Sequence, residues 1–466
     1  MSRFAARSLP RRPLPRRTVR WRIFIALAFA ALVFTGPLSA AQSVRKGPYV
    51  TAVSDSDATV RFELETAGPA MLDVTEVTPQ PKGAGDASAS RPSRFDSREV
   101  STMHRVHVTG LQPATPYAVV VRAGGAVVAD GRLVTAPRPD SGSPLTFLVY
   151  GDNRTDDAAH ASVVRAMSAA PSDFLVNTGD MVQDGGSAAN WQSFFDIERP
   201  LLRDRPLFAA IGNHELTDDA AGLNFERYFG FPDASGATMP YGTMRFGNAR
   251  FFFLNGMDDW SSGAERQWLE QALSSADNEA GLQWRFVVLH QGPWSSGPHG
   301  SNVKFVEDGM VQVLASHRVD LLLSGHDHLY ERGMGGPLKY IVSGGGGAPL
   351  YRDTHPLATT RKAEPAHHFV QITTQGSALQ IVAMRDDGSV LDRCGFTQGK
   401  PWDCDPAGSG LRAAPSGAAS PAPSGTPAQA SHGCMCGEPA GGAQTGAASA
   451  LAIVAVLSVV TARRRG

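Results

Sequence analysis

Five short apolar segments of this chain each end at a polar side chain of a type that binds metal ions. In chain order, these side chains are Asp152, Asp180, Asn213, His290 and the pair His326 and His328. Carboxylate, amide and imidazole donors without any thiolate suit Mn, Fe or Zn rather than a soft Cu(I) site. A carboxylate can bridge two such ions, and a bridged pair clamps the attacking and leaving oxygens of a displacement at phosphorus. The residue types therefore indicate a two-ion site for phosphoryl chemistry.

The elements that must position these side chains are short strands that alternate with helices. Helix-like stretches such as Ala158–Ala170 and Ala264–Ala276 lie between the apolar segments, which indicates an α/β unit. Most segments reach the polar residue through a Gly, which lets the backbone turn sharply and approach the site closely. Open α/β sheets collect their sites beyond the carboxyl ends of the strands. The strands predicted in this way are Phe147–Tyr150, Phe174–Asn177, Leu207–Ile211, Phe286–Leu289 and Leu321–Ser324.

The composition is that of a large globular protein without a basic surface. The chain has 466 residues, of which 42% are hydrophobic and 19% charged, and this length allows two or three folded units. Its formal net charge of -1 indicates no nucleic-acid groove. Four Cys are too few for a disulfide scaffold. Cys394 and Cys404 bracket a short loop, and we expect a local disulfide there.

The first 41 residues are typical of a secretory signal. Residues 1–22 contain eight Arg and no acidic residue, and the uncharged run Ile23–Phe34 and the small residues 39–41 follow. A basic start, a short apolar core and small residues before the cleavage point predict a signal peptide over 1–41. The alternative is a short membrane anchor, although this apolar run is shorter than the roughly 20 residues that span a bilayer. We therefore expect an exported protein.

The C-terminal end has the parts of a surface-sorting tail. Residues 405–446 are rich in Pro, Ala, Gly and Ser and include Cys434 and Cys436, which predicts a flexible linker with a Cys motif. An apolar run and three Arg follow in residues 447–466. This order resembles the MYXO-CTERM sorting tail, which implies a partner in sorting machinery and a place at the cell surface or outer membrane of a Gram-negative bacterium, with the periplasm as second choice. The alternative is an ordinary tail anchor whose two Cys hold a metal; both interpretations tether the protein to a membrane.

Residues 43–138 have the pattern of a small all-β domain. Three alternating segments are bounded by turn residues, and their spacing predicts a small sandwich. These segments are Ala58–Leu64, Arg105–Val108 and Tyr117–Arg122. The stretch Val108–Tyr117 resembles the corner of a fibronectin type III domain, in which a Tyr hydroxyl holds the turn. Gly47–Val50 and Ser56–Arg61 resemble the N-terminal domain of purple acid phosphatases, so we expect this domain to act as a spacer or brace.

The ordered motifs of residues 144–395 resemble those of the calcineurin-like metallophosphoesterases. These motifs are Gly-Asp at 151–152 and 179–180, Gly-Asn-His-Glu at 212–215, His290, and Gly-His-Asp-His at 325–328. The resemblance implies an α/β fold, a four-layer α/β/β/α sandwich preceded by the small fibronectin type III-like sandwich. The two domains together resemble the architecture of purple acid phosphatases.

The resemblance also implies a role for each site residue. The ligands are Asp152 and His328 for a first ion, Asp180 as the bridge, and Asn213, His290 and His326 for a second ion. His214 matches a residue that contacts phosphate and protonates the leaving oxygen. A metal-bound hydroxide would then be the in-line nucleophile.

Two positions depart from the family pattern. Many relatives have Asp-x-His at the first motif, where this chain has Arg154, and purple acid phosphatases have Tyr three residues after the bridging Asp, where this chain has Gln183. A purple ferric–tyrosinate site is therefore not expected, and the first ion lacks its usual fourth ligand unless the amide oxygen of Gln183 serves. Two interpretations of Arg154 stay open: a guanidinium that pairs with a phosphate oxygen, and a surface Arg bonded to a neighbouring acid.

His299 lies in a Gly- and Ser-rich loop after His290, where some relatives place a His that contacts substrate; otherwise it is a loop residue.

The whole sequence predicts an exported, surface-tethered enzyme that uses two ions of Fe, Mn or Zn to hydrolyse small phosphomonoesters. The alternatives are a phosphodiesterase or nucleotidase on the same site, and a non-catalytic surface binding or adhesion protein that retains the fold.

Overall fold

A computed structural model describes residues 42–77, 91–233, 237–257 and 260–404. The predicted signal peptide 1–41, linker 405–446 and tail 447–466 lie outside the described residues. Within the described ranges, no helix has both the length and the hydropathy that crossing a bilayer requires.

The described residues between Val44 and Val134 form a five-stranded antiparallel sheet. Its strands are β1 (Val44–Val53), β2 (Asp57–Glu76), β3 (Ser93–Thr109), β4 (Pro116–Ala123) and β5 (Ala126–Val134). The first part of the long β2 pairs with β1 and its last part pairs with β4, while β3 pairs along both. The three predicted strands fall within β2, β3 and β4, which confirms them. All five strands share one hydrogen-bonded sheet, and the fibronectin type III-like sandwich stays a prediction.

Two mixed sheets and their helices follow. The strands are β6 (Leu145–Tyr150), β7 (Phe174–Asn177), β8 (Leu207–Ala209), β9 (Phe231–Pro232), β10 (Thr238–Met239), β11 (Gly242–Phe246), β12 (Ala249–Phe253), β13 (Trp284–Val288), β14 (Leu321–Ser324), β15 (Tyr330–Gly335), β16 (Leu338–Ser343), β17 (Thr360–Glu364), β18 (His368–Gln375), β19 (Ala378–Arg385) and β20 (Val390–Thr397). The helices are α1 (Asp157–Ala169), α2 (Ala188–Leu202), α3 (Leu223–Tyr228), α4 (Ala264–Asp277), α5 (Val303–Glu307) and α6 (Met310–Ser316). One mixed sheet has the order β20-β19-β18-β6-β7-β8 and the other the order β11-β12-β13-β14-β16-β15-β17, while β9 and β10 form a separate two-stranded sheet.

Three groups of buried apolar side chains show how these elements pack. Along β6, Phe147 and Val149 belong to the group between the two sheets, whereas Leu148 and Tyr150 pack with α1 and α2. Along β13, Val287 packs with α4, α5 and α6. Because successive side chains of a strand point to opposite faces, both sheets have one face against each other and one face under helices.

The predicted helices are confirmed to within one or two residues. Asp156 caps α1, because its carboxylate accepts the N–H groups of Ala158 and Ala159 at 3.1 and 3.0 Å. These are donors that the first turn of a helix leaves without an internal partner. The apolar pattern and the cap together explain why the helix begins here.

The parallel pairing of the short strands decides where the site lies. Strands β6, β7 and β8 run parallel to one another, and so do β13 and β14. The carboxyl ends of parallel strands meet at one edge of a sheet. Each sheet therefore delivers its own set of strand-end residues to one place.

The N-terminal sheet contacts the segment after α3 through a buried arginine. Arg61 of β2 donates from Nη2 to the carbonyl of Gly230 at 2.6 Å, just after α3. The turn before β4 is held by the hydroxyl of Tyr117, which accepts the N–H of Gln112 at 2.8 Å. The predicted tyrosine contact is thus present, and the role of the sheet as a brace stays a prediction.

A disulfide joins Cys394 of β20 to Cys404, so the predicted local bridge is confirmed. The backbones of Gly395 and Asp403 also exchange two hydrogen bonds, at 2.9 and 2.7 Å. The bridge and these bonds fix the end of the described chain against the edge of its sheet.

The packing between the sheets gives a stability prediction. Phe147 is fully buried, and its ring centroid lies 5.1–5.3 Å from those of Phe174, Phe251 and Phe286. Phe147→Ala should lower the free energy of unfolding by about 3–5 kcal/mol because it leaves a cavity. Urea unfolding measures this, with Val127→Ala on the exposed face of β5 as the control. Equal stability of the two variants would contradict the packing described.

Candidate metal centre

The predicted ligands all lie beyond strand ends, and they come from both sheets. The six-stranded sheet supplies Asp152 after β6, Asp180 after β7 and Asn213 after β8. The seven-stranded sheet supplies His290 after β13 and the pair His326 and His328 after β14. The structure thus brings every predicted ligand to the same end of the two sheets, as the sequence pattern predicted.

The backbone at these ligands is strained. Asp152, Asp180 and His326 have φ values of 58°, 55° and 72°, a left-handed region that costs a non-glycine residue of the order of 1–3 kcal/mol. Gly179 has a φ of 100°, and a Cβ at this position would lie 2.8 Å from Nδ1 of His290. The Gly before Asp180 is therefore needed for the turn and for the close approach of the two sheets.

Three of the ligands form one compact cluster. Ligand atoms of Asp180, His290 and His326 lie within 4.8 Å of one another, and Oδ1 of Asp180 is 3.3 Å from Nε2 of His290. His290 donates from Nδ1 to the carbonyl of Thr178 at 2.9 Å, because a carbonyl only accepts. Its other ring nitrogen, Nε2, faces Asp180 and His326.

An unpaired amide oxygen beside this cluster fits a metal ion. Oδ1 of Asn213 is buried and has no hydrogen-bond partner among the residues that the structure describes. A buried polar atom without a partner is costly, and a cation would satisfy it. Two imidazoles, a carboxylate and an amide oxygen form a donor set that suits Zn, Mn or Fe. The residues predicted for the second ion therefore fit a metal.

Asp152 and His328, the ligands predicted for the first ion, lie next to this cluster. Oδ2 of Asp152 accepts the N–H of His326 at 2.9 Å, and its Oδ1 lies 3.6 Å from Nε2 of His328. His328 donates from Nδ1 to the carbonyl of Pro349 at 2.7 Å, so its Nε2 carries the lone pair. Both side chains are thus aimed at the site.

Arg154 lies inside the site rather than on the surface, with only 12% of its side chain exposed. Its Nε donates to Oδ2 of Asp180 at 2.9 Å, its Nη1 to Oε1 of Gln183 at 3.3 Å and its Nη2 to Nε2 of His328 at 3.2 Å. The bond to a neighbouring acid, one of the two interpretations, is present, although the side chain is more buried than that of a surface Arg. Pairing of Arg154 with a phosphate oxygen stays a prediction. The amide oxygen of Gln183, predicted as a possible metal ligand, accepts from Arg154.

Burial and the surrounding charges set the protonation of the site. Burial alone raises the pKa of Asp180, but His290 and Arg154 hold it below its usual range. Burial alone lowers the pKa of His290, but the carboxylates of Asp180 and Asp152 raise it overall to about 9. Burial lowers the pKa of His328 to about 4, and the charge of Arg154 acts in the same direction. The raised pKa of His290 reports a negative potential that favours a bound cation.

The two other predicted histidines also lie at the site. His214 donates from Nδ1 to the carbonyl of Gln183 at 2.8 Å, and its Nε2 lies 4.0 Å from Oδ2 of Asp180. The ring of His299 packs on that of His326, with 4.5 Å between centroids. Both residues contact members of the cluster or lie close to them, and their roles stay predictions.

Sequence reasoning gave no role to Glu215, whose side chain holds the backbone turns beside the ligands. Its buried carboxylate accepts the backbone N–H groups of Gly212, Asp180, Met181 and Val182 at 2.7, 2.9, 2.8 and 3.2 Å. It thereby fixes the turns that carry Asp180 and Asn213. The only signal was its place at the end of the Gly-Asn-His-Glu motif.

Tyr351 was also missed as a site residue. Its ring stacks on that of His328, with 4.1 Å between centroids, and its hydroxyl lies 2.9 Å from Nε2 of His299. It follows a glycine-rich turn that carries no donor pattern of its own, so the spacing of polar residues could not reveal it.

Comparison with known proteins agrees with this geometry. Residues 145–330 match the model of the calcineurin-like phosphoesterase family. The matched segment contains all five strand ends and every predicted metal ligand.

The chain also resembles two plant proteins in sequence. It is 28% identical over 256 residues to probable purple acid phosphatase 20 of Arabidopsis thaliana, which covers 49% of this chain and 59% of that protein. It is 29% identical over 293 residues to purple acid phosphatase 4 of the same plant, which covers 55% and 84%. The chain thus spans less than two thirds of the length of the first relative.

A solved structure shares the fold. Purple acid phosphatase PPD1 from seeds of yellow lupin, Lupinus luteus, superposes with a TM-score of 0.62 over 75% of this chain and 74% of that chain, at 16% identity. At this identity the similarity concerns the fold alone. It confirms the predicted α/β phosphoesterase fold.

The contacts of Glu215 give a prediction for metal binding. Glu215→Gln replaces an acceptor oxygen by an NH₂ group that faces backbone N–H groups. We expect a loss of about 1–3 kcal/mol in unfolding free energy and a 10–100-fold weaker affinity for Mn²⁺ or Zn²⁺. Urea unfolding and titration calorimetry measure the two effects, and the exposed Glu307→Gln is the control. Unchanged metal affinity in Glu215→Gln would show that Glu215 does not position the ligands.

Proposed function

We propose that this protein, whose residues 145–330 match the calcineurin-like phosphoesterase family, is a metal-dependent phosphoesterase that hydrolyses small phosphomonoesters. The observation that carries the proposal is the cluster of Asp180, His290 and His326 beside the buried amide oxygen of Asn213. Relatives named as purple acid phosphatases support monoesters as the first substrate class. Phosphodiesters and nucleotides remain the second class.

The chain's own residues prepare the site for an anionic substrate. A bound ion supplies Lewis-acid chemistry: it lowers the pKa of water and neutralises charge on phosphate oxygens. Asp180, Asn213, His290 and His326 would hold it. The two-ion form of this mechanism stays a prediction, and the contacts of Arg154 bear on it directly.

His214 has the geometry of a proton donor. Its Nδ1 donates to the carbonyl of Gln183, and the opposite nitrogen, Nε2, lies 4.0 Å from Oδ2 of Asp180. A neutral ring held in this way has its lone pair on Nε2, so His214 must be an imidazolium to give a proton from Nε2 to the leaving oxygen of an ester. This geometry supports the role that the sequence predicted.

A pocket beside Arg154 has room for a small molecule. It measures about 520 Å³ and is lined by Arg154, Gln183, Asp156 and Asp157, among other residues. Arg154 gives this pocket a positive charge, which supports an anionic substrate.

The rival function, a surface binding or adhesion protein without catalysis, has less support. A scaffold that had lost its chemistry would have no reason to keep strained, buried ligands, because backbone strain costs stability. Asp152, Asp180 and His326 all keep that strain.

We also propose that the protein is exported and held at the cell surface. This rests on the residue patterns of 1–41 and 405–466. The disulfide between Cys394 and Cys404 supports it, because structural disulfides belong to oxidising compartments.

Asp180→Asn tests the function. The purified protein, loaded in turn with Mn²⁺, Zn²⁺ or Fe²⁺, should hydrolyse 4-nitrophenyl phosphate faster than its diester, and chelation should remove the activity. Asp180→Asn should lower kcat at least about 10³-fold, since the cluster loses the charge that holds a cation. The exposed Asp387→Asn should match the wild type. A wild-type protein that retains no metal and cleaves neither ester would contradict the proposal.

His214→Asn tests the proton donor separately. With a poor leaving group, such as an alkyl alcohol, kcat should fall about 10²–10⁴-fold. With 4-nitrophenolate, which leaves without a proton, the loss should be much smaller. The same loss with both substrates would show that His214 acts in another way.

A further inference from the structure

Arg154 contacts the atoms that were predicted to bind the first ion. Its three guanidinium nitrogens donate to Oδ2 of Asp180, Nε2 of His328 and Oε1 of Gln183. These are the predicted bridge, one predicted ligand and the possible fourth ligand of that ion. Oδ1 of Asp152, the other predicted ligand, has no hydrogen-bond partner among the described residues and lies 4.0 Å from Nε2 of His290, so it faces the second-ion ligands as well. A fixed cation therefore already lies among this part of the ligand set.

The hydrogen bond from Arg154 competes with metal binding most directly at Nε2 of His328. His328 donates from Nδ1 to the carbonyl of Pro349, so Nε2 has a single lone pair, and Arg154 uses it. That lone pair cannot accept a hydrogen bond and bind a metal at once. A metal ion so near a guanidinium would also be repelled by a charge that is never lost, because Arg stays protonated in proteins.

The other half of the site is different. Among the residues that the structure describes, Asp180, His290 and His326 are the one group of three His, Cys, Asp or Glu side chains with ligand atoms this close together. Its atoms are also hydrogen-bonded: Nε2 of His290 accepts from Nδ1 of His326 at 3.2 Å, and Oδ1 of Asp180 accepts the N–H of His214 at 3.0 Å. A metal ion can replace the bond between the imidazoles, because a neutral ring can carry its proton on either nitrogen, whereas a guanidinium never loses its proton.

We infer that the guanidinium of Arg154 takes the place of the first ion, so that the chain binds one metal ion, at Asp180, Asn213, His290 and His326. This refines the proposed function and rests on its metal binding. The guanidinium supplies permanent positive charge and N–H donors that suit phosphate oxygens, but it is no Lewis acid toward water. The side chain of Arg154 is also not free to move toward a substrate, because three hydrogen bonds hold it and only 12% of it is exposed.

Metal stoichiometry tests the inference without relying on activity. The full chain is incubated with excess Mn²⁺, freed of unbound ions and assayed by mass spectrometry and by electron paramagnetic resonance. The wild type should hold one Mn²⁺ per chain, with the six-line spectrum of an isolated ion. Arg154→His removes the cation and adds an imidazole, so it should hold two and show the spectrum of a spin-coupled pair. Arg393→His, on the exposed face of β20, controls for a new surface imidazole and should hold one.

The outcomes separate this inference from the proposed function. Two coupled ions in the wild type would overturn the inference and leave a metal-dependent phosphoesterase standing. No retained ion would overturn both. A well-folded Arg154→His that holds one ion would also overturn the inference, and if this variant fails to fold, the wild-type count and spectrum decide alone.

Discussion

The burial of negative charge at the junction of two sheets is the constraint on which the rest of the site depends. Asp152 and Asp180 are both fully buried, and a buried carboxylate is unfavourable unless it is paired or binds a cation. The surrounding groups stabilise this negative charge. A backbone N–H donates to Asp152, the guanidinium of Arg154 donates to Asp180, and the two carboxylates raise the pKa of His290. The remaining donor atoms can bind a metal ion. The strain in the turns is tolerated because these contacts over-determine the backbone.

Much of this arrangement could be predicted from the sequence because it depends on strand ends. An apolar run that stops at a Gly and a polar residue indicates both where a strand ends and which side chain lies beyond it. Parallel pairing then brings the ends together without further information, and Asp152, Asp180 and His290 lie where that reasoning puts them. The N-terminal strands were found for a similar reason, since alternation marks half-buried strands.

What could not be predicted were contacts between side chains from distant parts of the chain. Arg154 is 26 residues from Asp180 but 174 from His328, and no spacing rule says that one guanidinium reaches both. The sequence left two interpretations of Arg154 open, because its surroundings depend on how the two sheets pack. Glu215 was missed for another reason. Its carboxylate serves backbone N–H groups, which carry no sequence signature.

The origin of the ligands on separate sheets couples metal binding to the stability of the whole domain. Asp180 and Asn213 follow strands of one sheet, whereas His290 and His326 follow strands of the other. An ion held by all four would act as a cross-link between the sheets, across the interface that Phe147 and Phe286 fill. By mass action, free metal at a hundredfold excess over its dissociation constant adds about 2.7 kcal/mol to the folded state. The availability of metal would then decide how long the protein stays folded, apart from how fast it works.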